Sequence, residues 1–108
     1  MNSHQCQCLI DAHHPSLPGH FPGNPVVPGV VILDEVLHAL AQWQPQWQVA
    51  GFTSVKFLKP LLPDEAFTVV LQQTKADRLK FECRKDQQAF ANGAIEIINS
   101  NSTKPQSQ

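Results

Sequence analysis

The sequence predicts an α+β fold in which one helix packs on a single sheet. Two observations carry it. Between Gly29 and Trp43, Val30, Val31, Ile32, Leu33, Val36, Leu37, Ala39, Leu40 and Ala41 leave a helix apolar on most of its circumference, which belongs inside a protein. Around it lie about five stretches of strand composition, separated by turn chemistry. At 108 residues there is room for one core and not for two, so the chain is read as one domain, 1–98, with a polar tail, 99–108, expected to be disordered.

The elements follow in order. Residues 1–5 are polar and expected to fray. Cys6, Cys8 and Ile10 alternate with Gln7, Leu9 and Asp11, a weak period-two signal for a short strand. Residues 13–19 are a loop by their proline and glycine content, and Pro25 and Pro28 hold 21–28 extended. The helix runs from 29 to 43 and stops before Pro45. A long strand is predicted at 47–59, broken by Pro60 and Pro63-Asp64. Further strands follow at 67–74, 79–84 and 89–98, with turns at 76–78 and 85–88. Such a sheet has exposed edges, and pairing with a second copy would cover them.

Composition excludes several classes. A net charge of −1 gives no sign of nucleic-acid binding. The best apolar run is interrupted by Pro25, Pro28 and Gly29, so no membrane span is predicted, and the N-terminus lacks a secretory pattern. Three cysteines without a framework favour reduced thiols and a cytoplasmic setting. His4, Cys6, Cys8, His13 and His14 are poorly spaced for tetrahedral zinc, and no metal is expected.

The chemistry is concentrated in His20-Phe-Pro-Gly-Asn-Pro-Val-Val-Pro-Gly-Val-Val-Ile-Leu-Asp-Glu35. A stiff loop there delivers a histidine to the start of a buried helix that carries a carboxylate about one turn in. Gly29 has no side chain, so a ligand can approach its backbone closely. The first N–H groups of a helix lack internal partners and sit at the positive end of its dipole.

This pattern resembles the signature of the 3-hydroxyacyl-[acyl-carrier-protein] dehydratases, and most resembles their short, single-domain members of aryl polyene pathways (ApeI-like). Val55-Lys-Phe-Leu-Lys-Pro-Leu-Leu-Pro-Asp-Glu65 is similar to the strand and turn that follow the central helix in that family. The resemblance implies a hot-dog fold, an antiparallel sheet wrapped around one helix, working as a dimer with sites at the interface. It implies dehydration of a 3-hydroxyacyl-acyl carrier protein to the trans-2-enoyl form without a cofactor. The family's base falls on His20, and its acid, contributed by the other subunit, on Asp34, fourteen residues later. The carbonyl-binding backbone N–H falls on Gly29.

Asp34 shares a helix face with His38, whereas Glu35 is turned ~100° away. The apolar neighbours Ile32, Leu33 and Leu37 would favour the protonated form of a carboxyl at 34, as a proton donor requires. His38 stands where the better-known dehydratases usually carry Gln, and can orient the acid or, when charged, weaken it.

Trp43 and Trp47 are read as core or dimer packing, and Phe52 and Phe57 as core before tunnel lining. Among Lys56, Lys59, Arg78, Lys80, Arg84 and Lys85 are candidates to dock an acidic carrier protein. Competing readings are a hot-dog thioesterase or coenzyme A hydratase, and a non-catalytic carrier-binding subunit of a mixed hot-dog dimer.

Overall fold

The structure, a computed structural model, describes residues 2–11 and 26–99. Strand β1 (Ser3–Cys8) is followed by helix α1 (Gly29–Trp43), then by β2 (Trp47–Phe57), β3 (Phe67–Lys75), β4 (Arg78–Lys85) and β5 (Gln88–Asn99). The strands form one sheet in the order β1-β3-β4-β5-β2, with every neighbouring pair antiparallel.

The helix has the bounds read from the sequence. Pro28, at φ −61° and ψ 146°, is extended and opens it, and Gln44 N–H closes it on the Leu40 carbonyl. The strands differ at their ends. Residues 3–5, expected to fray, are paired: Ser3, His4 and Gln5 lie opposite Gln72, Leu71 and Val70. Their polar composition hid a partner that only the fold supplies. Ile10, expected to continue that strand, lies beyond it but is 1% exposed and closes the core. β2 ends at Phe57, not Lys59, because the Leu58 and Lys59 amides both turn to the Phe90 carbonyl (2.7 and 3.4 Å). The loop expected at 13–19, His20, and the polar tail after Asn99 lie outside the described residues.

Alternation along β3, β4 and β5 sends Phe67, Val69, Leu71, Leu79, Phe81, Cys83, Ile95 and Ile97 to one face. Val31, Ile32, Val36, Ala39 and Leu40 of α1 meet that face and form one core with it. Gly93 is needed there for space: a Cβ at 93 would lie 2.7 Å from the Phe81 ring and 3.1 Å from the Val55 backbone. The β4–β5 hairpin turns on Asp86 and Gln87, both at positive φ, the geometry that matches the twist of the flanking strands. β2 carries register shifts at Val49/Gly51 and Thr53/Lys56, with Ser54 at φ 56°, so this long strand bends instead of running straight.

β1 and β2 are the two edges of the sheet. α1 buries only one side. Val30, Asp34, His38 and Ala41, spaced three or four apart, form an exposed stripe, with Val30 66% exposed. A helix apolar on most of its circumference was expected inside the protein; the chain by itself covers only the half that faces the sheet.

Candidate functional site

The start of α1 is fixed from two directions. Val27 N–H donates to the Leu61 carbonyl at 2.8 Å, and both residues are buried. Leu61 is held in turn by the turn after β2, where Glu65 accepts from the Leu62 amide (3.0 Å) and from Lys85 Nζ (2.6 Å). Those two bonds, led by that from Lys85, hold the Glu65 carboxyl below its ordinary value.

In the first turn, Val31 and Ile32 N–H both find the Pro28 carbonyl, at 3.0 and 3.3 Å. The Gly29 amide has no acceptor among the described residues. Among the described residues no side chain caps this end, and no acidic residue stands in its first turn. The first amides of the helix lie at the positive end of its dipole, where an acceptor is favoured. Around it Val26, Val27, Ile32, Phe57, Leu58, Pro60 and Leu61 line a shallow, mostly apolar cavity of about 330 Å³, with Lys59 at its rim.

Gly29 is required by close approach and not by its backbone angles. Its φ lies outside the left-handed region, but a Cβ there would meet Phe57 Cζ at 2.6 Å. Phe57 is thus not the core residue expected from the sequence; it is 47% exposed, with its ring tip against Gly29. Phe52 does join the core, edge-on to Phe81 at 5.8 Å between centroids. The sequence signal for Phe57 lay in its segment, an apolar Phe-Leu pair at the end of a long strand, and not in its contact.

Asp34 lies about one turn into α1, on the open stripe, exposed to solvent. The desolvation expected from Ile32, Leu33 and Leu37 is not supplied by its own chain: Ile32 is in the core and Leu33 packs against it, whereas Asp34 turns outward and stays exposed. Glu35 is the more covered carboxyl. Its side chain is 21% exposed, and its Oε2 stands 3.9 Å from His38 Nδ1, too far for a hydrogen bond. No hydrogen bond joins His38 to Asp34 among the described residues, although both occupy the same stripe. His20 is outside the described residues.

The Cys8 and Cys83 thiols are held protonated. Burial pushes Cys83 up to about 12, and burial, followed by the neighbouring Cys6, pushes Cys8 up to about 12. His4 stacks on Trp43 at 5.6 Å and 7°, and Trp43 meets Trp47 edge-on, a cluster at the far end of α1 from Gly29. Of the basic residues singled out, Arg78, Arg84 and Lys85 are paired with Glu96, Glu82 and Glu65, and Lys59 donates to Gln88 at 2.7 Å. Lys56 and Lys80 have no ion pair among the described residues and border an outer groove with Gln72, Glu82 and Asn92. No helix there is long and apolar enough to cross a membrane.

Comparison with known proteins gives this geometry its context. The FabZ 3-hydroxyacyl-[acyl-carrier-protein] dehydratase of Thermomicrobium roseum is 35% identical over 81 residues, covering 64% of this chain and 52% of that protein. That of Aromatoleum aromaticum is 31% identical over 86 residues, covering 68% and 59%. The chain thus spans between half and three-fifths of the length of these two relatives. The dehydratase heterocomplex ApeI:P from Xenorhabdus doucetiae superposes with a TM-score of 0.74 and 31% identity over 88% of this chain and 86% of that one. A 1,4-dihydroxy-2-naphthoyl-CoA thioesterase from Synechocystis, at TM-score 0.69, is only 14% identical over 90% and 81%, a likeness of fold alone. The five-stranded antiparallel sheet packed on helix α1 is a hot-dog fold. The family model for ApeI-like dehydratases matches residues 1–94, and the chain belongs to that family.

Proposed function

We propose that this chain eliminates water from 3-hydroxyacyl thioesters carried on an acyl carrier protein, giving the trans-2-enoyl form. The observation that carries the reading is the Gly29 amide, without an acceptor among the described residues, at an apolar cavity, with Asp34 about one turn further along. The thioester carbonyl accepts from Gly29 N–H, so the negative charge that grows on its oxygen meets the helix dipole. His20 takes the proton from C2, and the electron pair of that bond forms the C2–C3 double bond. Asp34 of the partner subunit gives its proton to the departing 3-hydroxyl, which leaves as water. Elimination changes no net oxidation state, so this route calls for no redox group.

The dimer completes what one chain lacks. An exposed Asp34 gains the dry surroundings of a proton donor only when a second subunit covers the stripe it shares with Val30, His38 and Ala41. His38 is placed to orient Asp34 once that face is closed. Lys56 and Lys80, without ion pairs among the described residues, and Lys59, which lines the cavity, are cations placed to meet an acidic carrier protein.

A second arrangement is favoured by the Xenorhabdus structure, which is a heterocomplex. There the partner subunit would be a different hot-dog chain. The test is to incubate the purified chain, alone and with candidate hot-dog partners, with a 3-hydroxyacyl-acyl carrier protein and analyse the product by mass. Loss of one water supports the proposal, and its dependence on a partner separates the two arrangements. Release of free acid identifies a thioesterase instead. Conversion that survives His20→Ala at full rate contradicts the residue assignment.

A further inference from the structure

Phe57, at the end of β2, meets Gly29, at the start of α1, and both sides of the contact are pinned. Leu58 N–H bonds the Phe90 carbonyl at 2.7 Å immediately after Phe57, and Val27 N–H bonds the Leu61 carbonyl at 2.8 Å just before the helix. Between them the ring edge rests where a Cβ of residue 29 would be, 2.6 Å from Cζ, 2.8 Å from Cε2 and 3.2 Å from Cε1. Nearly half of Phe57 remains exposed, and it faces the same cavity as the Gly29 backbone. At about 330 Å³, that cavity is at the low end for a ligand pocket, enough for the thioester end of an acyl chain.

We infer that Phe57 is a positioning residue whose ring, held against Gly29, walls the space beside C2 of the acyl thioester, admitting an unbranched C2 and excluding a substituted one. This rests on the dehydration reading, which places the thioester carbonyl on the Gly29 amide. An acceptor on that N–H lies ~2.9 Å from the nitrogen. C2 is two bonds from the carbonyl oxygen, so it falls within van der Waals reach of a ring already touching Gly29. A methyl on C2 has to displace the ring or tilt the carbonyl off the amide. The same wall turns C2–H in one direction, which a proton abstraction requires.

The test compares unbranched and 2-methyl 3-hydroxyacyl-acyl carrier proteins as substrates of the wild type, Phe57→Ala and Phe57→Leu. Folding and oligomer mass are followed in each. The wild type is expected to favour the unbranched substrate, and Phe57→Ala to lower that kcat/KM ratio by about tenfold or more, the scale of a methyl-sized fit in an apolar pocket. Phe57→Leu should fall between them. A folded Phe57→Ala with an unchanged ratio overturns the proposal and leaves the ring a packing residue. Binding of unreactive amide analogues of both acyl chains is measured alongside. If the wild type turns over neither substrate, the dehydration reading fails, while the ratio of analogue affinities still decides the role of Phe57: a ratio that Phe57→Ala does not change overturns it.

Discussion

Gly29→Ala separates the stability of this site from its chemistry. The new methyl would start 2.6 Å from Phe57 Cζ, whereas carbon atoms settle at ~3.5–4.0 Å, so the ring must retreat by roughly 1 Å. It can do so, because it is 47% exposed and no backbone atom is among the three nearest to the new Cβ. If the retreat uncovers roughly 40 Å² of apolar surface, the cost is about 1 kcal/mol at ~25 cal/mol per Å². Alanine is favoured over glycine in a helix by a similar amount, about 1 kcal/mol at most at this first position. The urea midpoint is therefore expected to move by less than the equivalent of ~1 kcal/mol. The methyl and the displaced ring both crowd the approach to the amide, and loss of one such donor costs about 10²–10³ in rate. Adding Phe57→Leu should return part of the activity by making room. Two results would refute the reasoning: a loss of several kcal/mol, meaning that the ring cannot yield, or full activity at unchanged stability, meaning that the amide is not used.

Other expectations concern groups away from that contact. Asp34→Asn, close in shape to the protonated carboxyl that the proposed dimer site holds, should leave the denaturation midpoint nearly unchanged, while turnover falls by about 10²–10⁴ in steady-state rates. Cys83 and Cys8 are both held above their ordinary thiol value of 9.0, so the folded chain keeps protons that the unfolded chain gives up. Stability from these thiols is complete below about pH 9 and drains away as pH rises towards 12. The buried Cys83 alone contributes a loss of about 1.4 kcal/mol per pH unit in that window. Urea midpoints from pH 8 to 10.5 (an experimental range of roughly this width suffices) should fall less steeply in Cys83→Ala. Trp47 Nε1 is buried without an acceptor among the described residues, so Trp47→Phe removes an unpaired donor while retaining most of the ring. Its thermal midpoint should be unchanged or higher, and a marked drop would reveal an acceptor.

Much of this fold was legible because its signals are local. The Pro-Gly pair before an apolar run, and Pro45 after it, bound α1 at the residues where the structure begins and ends it. Turn residues placed β3, β4 and β5 to within two residues. What escaped depends on distant partners. Ser3, His4 and Gln5 look like a loose end until Gln72, Leu71 and Val70 are brought alongside and His4 meets Trp43. Phe57 looks like core until its ring is seen filling the missing side chain of Gly29, twenty-eight residues earlier. For the proposed site the sequence offers residue types and spacing but not surroundings. Apolar neighbours in sequence suggested a buried Asp34, yet a helix turns each residue away from the next, and this one faces outward. Glu35, one residue on, is the carboxyl that His38 approaches in the single chain. In the proposed dimer the cover for Asp34 comes from another molecule, which no local pattern records.

The central claim is that each site takes its base from one subunit and its acid from the other. Mixing His20→Ala with Asp34→Asn, each inactive alone, tests it most directly. After unfolding and refolding together, half of the dimers should pair the two variants, and each such dimer has one site with both His20 and Asp34 intact. Activity should return to about a quarter of the wild-type value, the statistical share for two-fold dimers. No recovery in mixed dimers of the correct mass would contradict the claim and place both groups within one chain.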